Sequence, residues 1–250
     1  MVATVLVLSL LQGNIKPPPA ELKLDGFYKK CILVDGLPVV CSGKVSDDGL
    51  RKAVFIVQQM LKKRPEIAKP MMELKLRIAV MAPTEQTLDV PEHSDLQMAF
   101  PQTDWNKRAR GLGATVERPA VSCGEENLLG LSGDRYKGES ILIHEFGHTV
   151  LNFGIERVDK TFKARLQKIY DEAKNSGVWK NTYAVSNIEE YWAEGVQSWF
   201  DCNQKGPVGG NGVHNEIWNR AELKAKDPLF HDLLKEAFTS DWKWKDPAAK

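Results

Sequence analysis

Hydrophobic positions change period several times along the chain, and each change marks an element. "CILVDGLPVVC", Cys31 to Cys41, holds two short apolar runs around Asp35-Gly36, a pair favoured in two-residue hairpin turns. "SDDGLRKAVFIVQQMLKK" sets Leu50, Val54, Val57 and Leu61 on one helical face, with Ser46 or Asp47 as its cap. "LKLRIAVMA", Leu74 to Ala82, predicts a strand, and the proline-containing stretch after it, through "DVPEHSDLQMAFPQTDW", predicts loop. "RGLGATV", Arg110 to Val116, and "ERPAVSC" after it suggest short strands around an irregular turn. Helices are predicted over about Gly138–Phe153, Asp159–Asn175 and Asn187–Phe200, then a Gly-rich loop, "KGPVGGNG", and further helices near Glu216 and Leu229. Early strands with one helix, followed mostly by helices, predict an α+β fold of two lobes. They would join just after the Gly138–Phe153 helix and leave a cleft between them.

The N-terminal pattern is different. Val2 to Leu11 is uncharged and mostly apolar, and polar, Pro-rich sequence follows it. The run is too short to span a bilayer and suits the apolar region of a secretory signal, with Gly13 or Ala20 as the small residue before a cut. No Lys or Arg precedes it, so a first buried strand is the alternative.

The 250 residues carry a formal charge of +1, so neither a nucleic-acid nor a strongly acidic partner is implied. No second segment is apolar enough to insert in a membrane, and oligomeric state is not legible. Four cysteines in a chain read as secreted suggest two disulfides. The hairpin favours Cys31–Cys41, which leaves Cys123–Cys202; four reduced, buried thiols, as in a cytosolic protein, are the alternative.

Chemistry concentrates in "ILIHEFGHTV", Ile141 to Val150. On a helix, residues four apart point the same way, so His144 and His148 can reach one ion. Glu145 lies about 100° round from His144, placed to take a proton from an attacking water without ligating the metal. Ile141, Leu142, Ile143, Phe146 and Val150 would bury the helix, and Gly147 suggests close approach by another backbone or a substrate. The alternative is a core helix whose histidines bond to carbonyls. No third histidine follows, so a third ligand must come from elsewhere.

"TYAVSNIEEYWAEGVQSWF", Thr182 to Phe200, offers one. Ser186 and Glu189 fit a capping box, which starts a helix at Asn187 and gives Glu189 a structural role. Glu190 and Glu194 then share a face. Glu190, near the exposed start, is the candidate third ligand, and Glu194 the outer carboxylate that accepts the other N–H of a ligating histidine. Tyr183, just before this helix, could donate to an oxyanion. His214 reads as a solvent-facing or capping residue, with a place at the cleft border or in substrate binding as the alternative, and His93 and His231 have no partner motif. Trp242 and Trp244 in the "DWKWK" tail read as packing residues.

"HEFGH" followed by Tyr-x6-Glu-x3-Glu resembles the peptidase lobe of anthrax lethal factor and the secreted bacterial Pro-Pro endopeptidases, and "YAVSNIEEYWAE" is similar to that family's Tyr and N-x-x-E-[FY]-x-A-E run. The motifs span about Ile141 to Phe200. The resemblance implies a zincin-like, gluzincin-type fold with one Zn²⁺ on His144, His148 and Glu190, Glu145 as general base and acid, Tyr183 at the oxyanion and Glu194 outside the metal. In zincins a strand borders the cleft and pairs with the substrate backbone. Gly111, Leu112 and Gly113 are the candidates, with a plain β-turn as the alternative.

The expected organisation is therefore a secretion signal over 1–20 and one metallopeptidase domain over 21–250, acting outside the cell on a protein or peptide. A non-catalytic zinc-containing binding protein and a toxin-like effector protease stay open.

Overall fold

The computed structural model describes residues 13–249, so the expected signal run Val2–Leu11 lies outside the described residues. Residues 13–20 lie against the domain: Lys16 forms a β-bridge with Cys31, and the Gly13 carbonyl accepts from Arg51.

The hairpin forms as its turn chemistry predicts. β1 (Lys30–Val34) and β2 (Leu37–Cys41) pair antiparallel across Asp35 and Gly36, both at positive φ. α1 (Asp47–Leu61) starts where Ser46 accepts from the Gly49 N–H, and it buries Leu50, Val54, Val57 and Leu61. α2 (Ala68–Glu73) leads into β3 (Arg77–Met81). The stretch predicted as loop contains short turns of helix, α3 (Leu96–Ala99) and α4 (Trp105–Arg108). β4 (Gly111–Leu112) and β5 (Ala120–Gly124) follow, then α5 (Glu125–Leu129) and α6 (Ile141–Thr149). The helix of α6 continues as a π-helical segment, Val150–Ile155, into α7 (Glu156–Val158). The chain ends with α8 (Phe162–Ser176), α9 (Ile188–Trp199), α10 (Arg220–Lys226) and α11 (Pro228–Ala237).

The sheet order is β1-β2-β3-β5-β4, with β2, β3 and β5 mutually parallel and an antiparallel strand at each edge. β2 and β5 are buried on both faces, as parallel strands with both sides covered must be. The architecture is α+β. One apolar cluster runs from Ile32 through α1, α6, α8 and α9 to Trp244, so the sheet and the C-terminal helices share a core rather than forming separate lobes. A smaller cluster around Tyr28, Cys31, Val40 and Met81 covers the other sheet face. Trp242 packs on Phe55 and Phe200, and Trp244 is buried. Among the described residues no helix is long and apolar enough to cross a membrane.

The expected disulfides are absent: all four cysteines are free and buried. Register explains the first pair. Cys31 stands opposite Val40, and Cys41 opposite Lys30, so the two thiols point to opposite faces of the sheet. Cys123 packs in the main core from β5, while the Cys202 thiol turns to the Gln197 carbonyl at 3.4 Å. Burial raises the pKa of each thiol.

Candidate metal centre

α6 begins where the Asn127 side chain, reaching over from α5, accepts the Ile141 N–H at 2.9 Å. Ile143, Phe146 and Val150 are fully buried, which leaves His144, Glu145 and His148 along the cleft. α9 packs along the same helix. Trp192 donates to the Gly147 carbonyl at 2.9 Å, and a Cβ on Gly147 would meet Val196 at 3.5 Å, ordinary contact. The glycine thus faces a side chain of α9, not a backbone or a substrate. The π-helical segment turns Asn152 towards α9, where its amide donates to Glu189. Glu189 also pairs with Lys163, so it braces helices instead of folding back on the start of α9. The cap there is Asn187, accepting from the Glu190 N–H, and Ser186 bonds to the Tyr183 carbonyl.

This packing brings three donor atoms together. His144 Nε2 and His148 Nε2 are 3.3 Å apart, and Glu190 Oε2 lies 3.2 Å from the first and 3.6 Å from the second. Donors about 2.0–2.1 Å from a tetrahedral ion lie roughly 3.3 Å from one another, so the cluster has the dimensions of a metal site. Glu190 Oε2 is buried with no hydrogen-bond partner, and two imidazoles with one carboxylate suit a first-row divalent ion. Without an ion, burial alone would lower His144, but Glu190, Glu145 and Glu194 push it up to about 10. Burial would raise Glu190, yet the His144 and His148 imidazoles beside it hold it below the usual carboxylate range. A cation entering here displaces a proton and meets an acidic surround.

The partner of His144 differs from expectation. Its Nδ1 meets Gln197 Oε1 at 2.8 Å, whereas Glu194 Oε1 stays 3.9 Å away. Gln197 turns its amide nitrogen to the Cys202 carbonyl, so its oxygen accepts from Nδ1, and Nε2 faces the cluster. Glu194 instead accepts from Asn203 at 2.8 Å and faces His214. Gln197 was legible as a residue on the Glu190 face, one turn beyond Glu194.

A cleft of about 470 Å³ opens over the cluster. Gly111 and Leu112 line one wall. A Cβ on Gly111 would lie 2.4 Å from Ile141, so that glycine admits α6 itself, whereas one on Gly113 would make only ordinary contact with Glu145 and His148. Gly111 and Leu112 form β4, a short edge strand antiparallel to β5, and Gly113 lies just beyond its end. Tyr183 and Val213 line the cleft as well. Burial, then Glu190, push the Tyr183 phenol up to about 12, which keeps its proton at neutral pH. His214 is buried and lines the cleft, so the cleft-border alternative holds over the solvent-facing reading, with Nε2 3.3 Å from Glu139 Oε1. The long-range pairing of its loop carries no local signal. His93 and His231 lie outside the cleft, against Ser122 and Trp199.

No family model, curated protein or solved structure matches the chain.

Proposed function

We propose that this protein is a zinc-dependent endopeptidase with a zincin-like, gluzincin-type site. One observation carries the reading: two imidazoles and one carboxylate converge at ligand spacing, with Glu145 beside them in an open cleft. Three protein ligands match a catalytic zinc, because structural zinc sites fill four positions. Bound zinc would polarise the scissile carbonyl and acidify the attacking water.

The chain's own residues supply the rest. Glu145 takes the water's proton and passes it to the leaving amine. Tyr183, protonated at neutral pH, donates to the oxyanion as it forms. Gln197 fixes the His144 tautomer. β4, at the end of the sheet order, offers its outer backbone groups to an extended substrate. With the thiols free, the proposal that the protein acts outside the cell rests on Val2–Leu11 alone.

The test is cleavage of a diverse peptide library by the zinc-loaded protein beside its Glu145→Ala variant, read by mass spectrometry. Cuts made only by the intact protein are expected. Equal cutting by both, or none by a folded, zinc-loaded protein, contradicts the reading.

A further inference from the structure

Val213 and His214, which line the cleft, belong to an irregular segment, residues 203–219, in which the His214 and Asn215 side chains are buried. His214 bridges two elements. Nε2 lies 3.3 Å from Glu139, just before α6, and Nδ1 lies 3.8 Å from Glu194 on α9, with no hydrogen-bond partner of its own. The carbonyl of the preceding residue, Val213, accepts the Tyr183 N–H at 2.8 Å. The same loop closes on the segment before Tyr183 at two further points. Gly212 donates to the Asn181 carbonyl, and Asn181 donates to the Gly210 carbonyl, each at 2.8 Å. A Cβ on Gly210, at φ +80°, would fall 2.2 Å from the Asn181 carbonyl oxygen, so only glycine allows that closure.

We propose that His214 is a positioning residue for the peptidase reaction: by bridging Glu139 and Glu194 it fixes the loop whose Val213 carbonyl holds Tyr183 at the cleft. This rests on the peptidase reading for its kinetic consequence, although the brace itself is a property of the folded chain. His214 need not touch the substrate. Its effect runs through one backbone hydrogen bond to the group that meets the oxyanion, and small misplacements of such a group reduce rates steeply.

Charge adds a pH readout. Glu139 and Glu194 are the charged groups facing the imidazole. Burial would lower His214, but these two carboxylates raise it to about 9. The paired form is therefore present at neutral pH and lost as pH rises through about 9.

The experiment compares the zinc-loaded full chain with His214→Gln, Tyr183→Phe, the double variant, and Gly210→Ala, which opens the same closure from the loop's far side. Zinc content is expected to stay at the wild-type level. In His214→Gln and Gly210→Ala, amide exchange should quicken over residues 178–187 and 203–219 while α6 and α9 keep their protection. kcat should fall about ten- to hundredfold with KM little changed, and the double variant should be no slower than Tyr183→Phe alone. The alkaline fall in wild-type kcat near pH 9 should disappear in His214→Gln. Multiplicative losses in the double variant, or unchanged exchange over residues 178–187 in both loop variants, overturn the proposal. If the wild-type protein cuts no peptide, the peptidase reading fails separately, and the exchange result alone judges the brace.

Discussion

α6 and α9 lie against each other as regular helices, whereas the cleft-lining Ala109, Gly111, Leu112, Val213 and His214 belong to stretches, 109–115 and 203–219, that contain no regular element longer than two residues. The helix pair holds every candidate ligand and the partner of His144; the walls hold Tyr183's support and the edge strand. Donor atoms must converge within tenths of an ångström, which packed helices achieve through buried side chains such as Trp192 and Val196. The cleft walls instead sit on irregular segments tied by a few hydrogen bonds, where local opening is easier. Damage to the helix pair should therefore reach the metal or the chemistry outright, and damage to the walls should slow catalysis with the metal retained.

The largest expected effect sharpens the boundary inside the helix pair. Glu145→Gln should reduce turnover by about 10²–10⁴-fold, within the range for a lost general base, with zinc content unchanged by elemental analysis. Loss of zinc in that variant would instead make Glu145 a ligand. Gln197→Ala comes next. It removes the acceptor on His144 Nδ1 and should weaken zinc by about 10–100-fold in competition with a chelator. A matching loss in Glu194→Gln but not in Gln197→Ala would restore Glu194 to that role.

The sheet-side wall has a different weakness. β4 is backed by Ser122, whose hydroxyl accepts the Leu112 N–H and contacts His93 Nε2 at 3.0 Å. Burial lowers His93 to about 4 from the ordinary 6.5. The folded protein thus keeps a neutral imidazole where the unfolded chain takes up a proton, so this stability is full above pH 6.5 and lost as pH falls towards 4. Thermal melts should show Tm declining across that window, and His93→Gln should flatten the decline; an equal slope in the variant would remove His93 from the account. The smallest effect concerns the helix interface. Gly147→Ala meets only ordinary contact with Val196, so it should fold normally and gain up to about 1 kcal/mol in denaturant melts. A clear destabilisation would mean that α6 and α9 approach more tightly than the geometry indicates.

Legibility followed the same division. His144 and His148 could be read from a spacing of four, and Glu190 from its helix face and the surrounding motif, because helical period is local information. Choosing between Glu194 and Gln197 required the relative placement of two helices far apart in sequence. His214 was hidden for a similar reason, since its partners Glu139 and Glu194 belong to other elements. The disulfide expectation failed on information the sequence did contain. A two-residue turn at Asp35-Gly36 pairs Val34 with Leu37 and hence Cys31 with Val40, which sends Cys41 to the opposite face. The α+β class followed from the order of strands and helices. The shared core did not, because α9 and the Trp244 tail join it through contacts that no local pattern announces.

Zinc-edge X-ray absorption on the protein loaded with one equivalent distinguishes a catalytic zinc from a structural one. Two imidazole nitrogens and a carboxylate oxygen are expected at about 2.0–2.2 Å, with no sulfur and a remaining position filled by solvent. The same pattern should persist in Glu145→Gln. A fourth protein ligand, or failure to bind zinc at all, would contradict it.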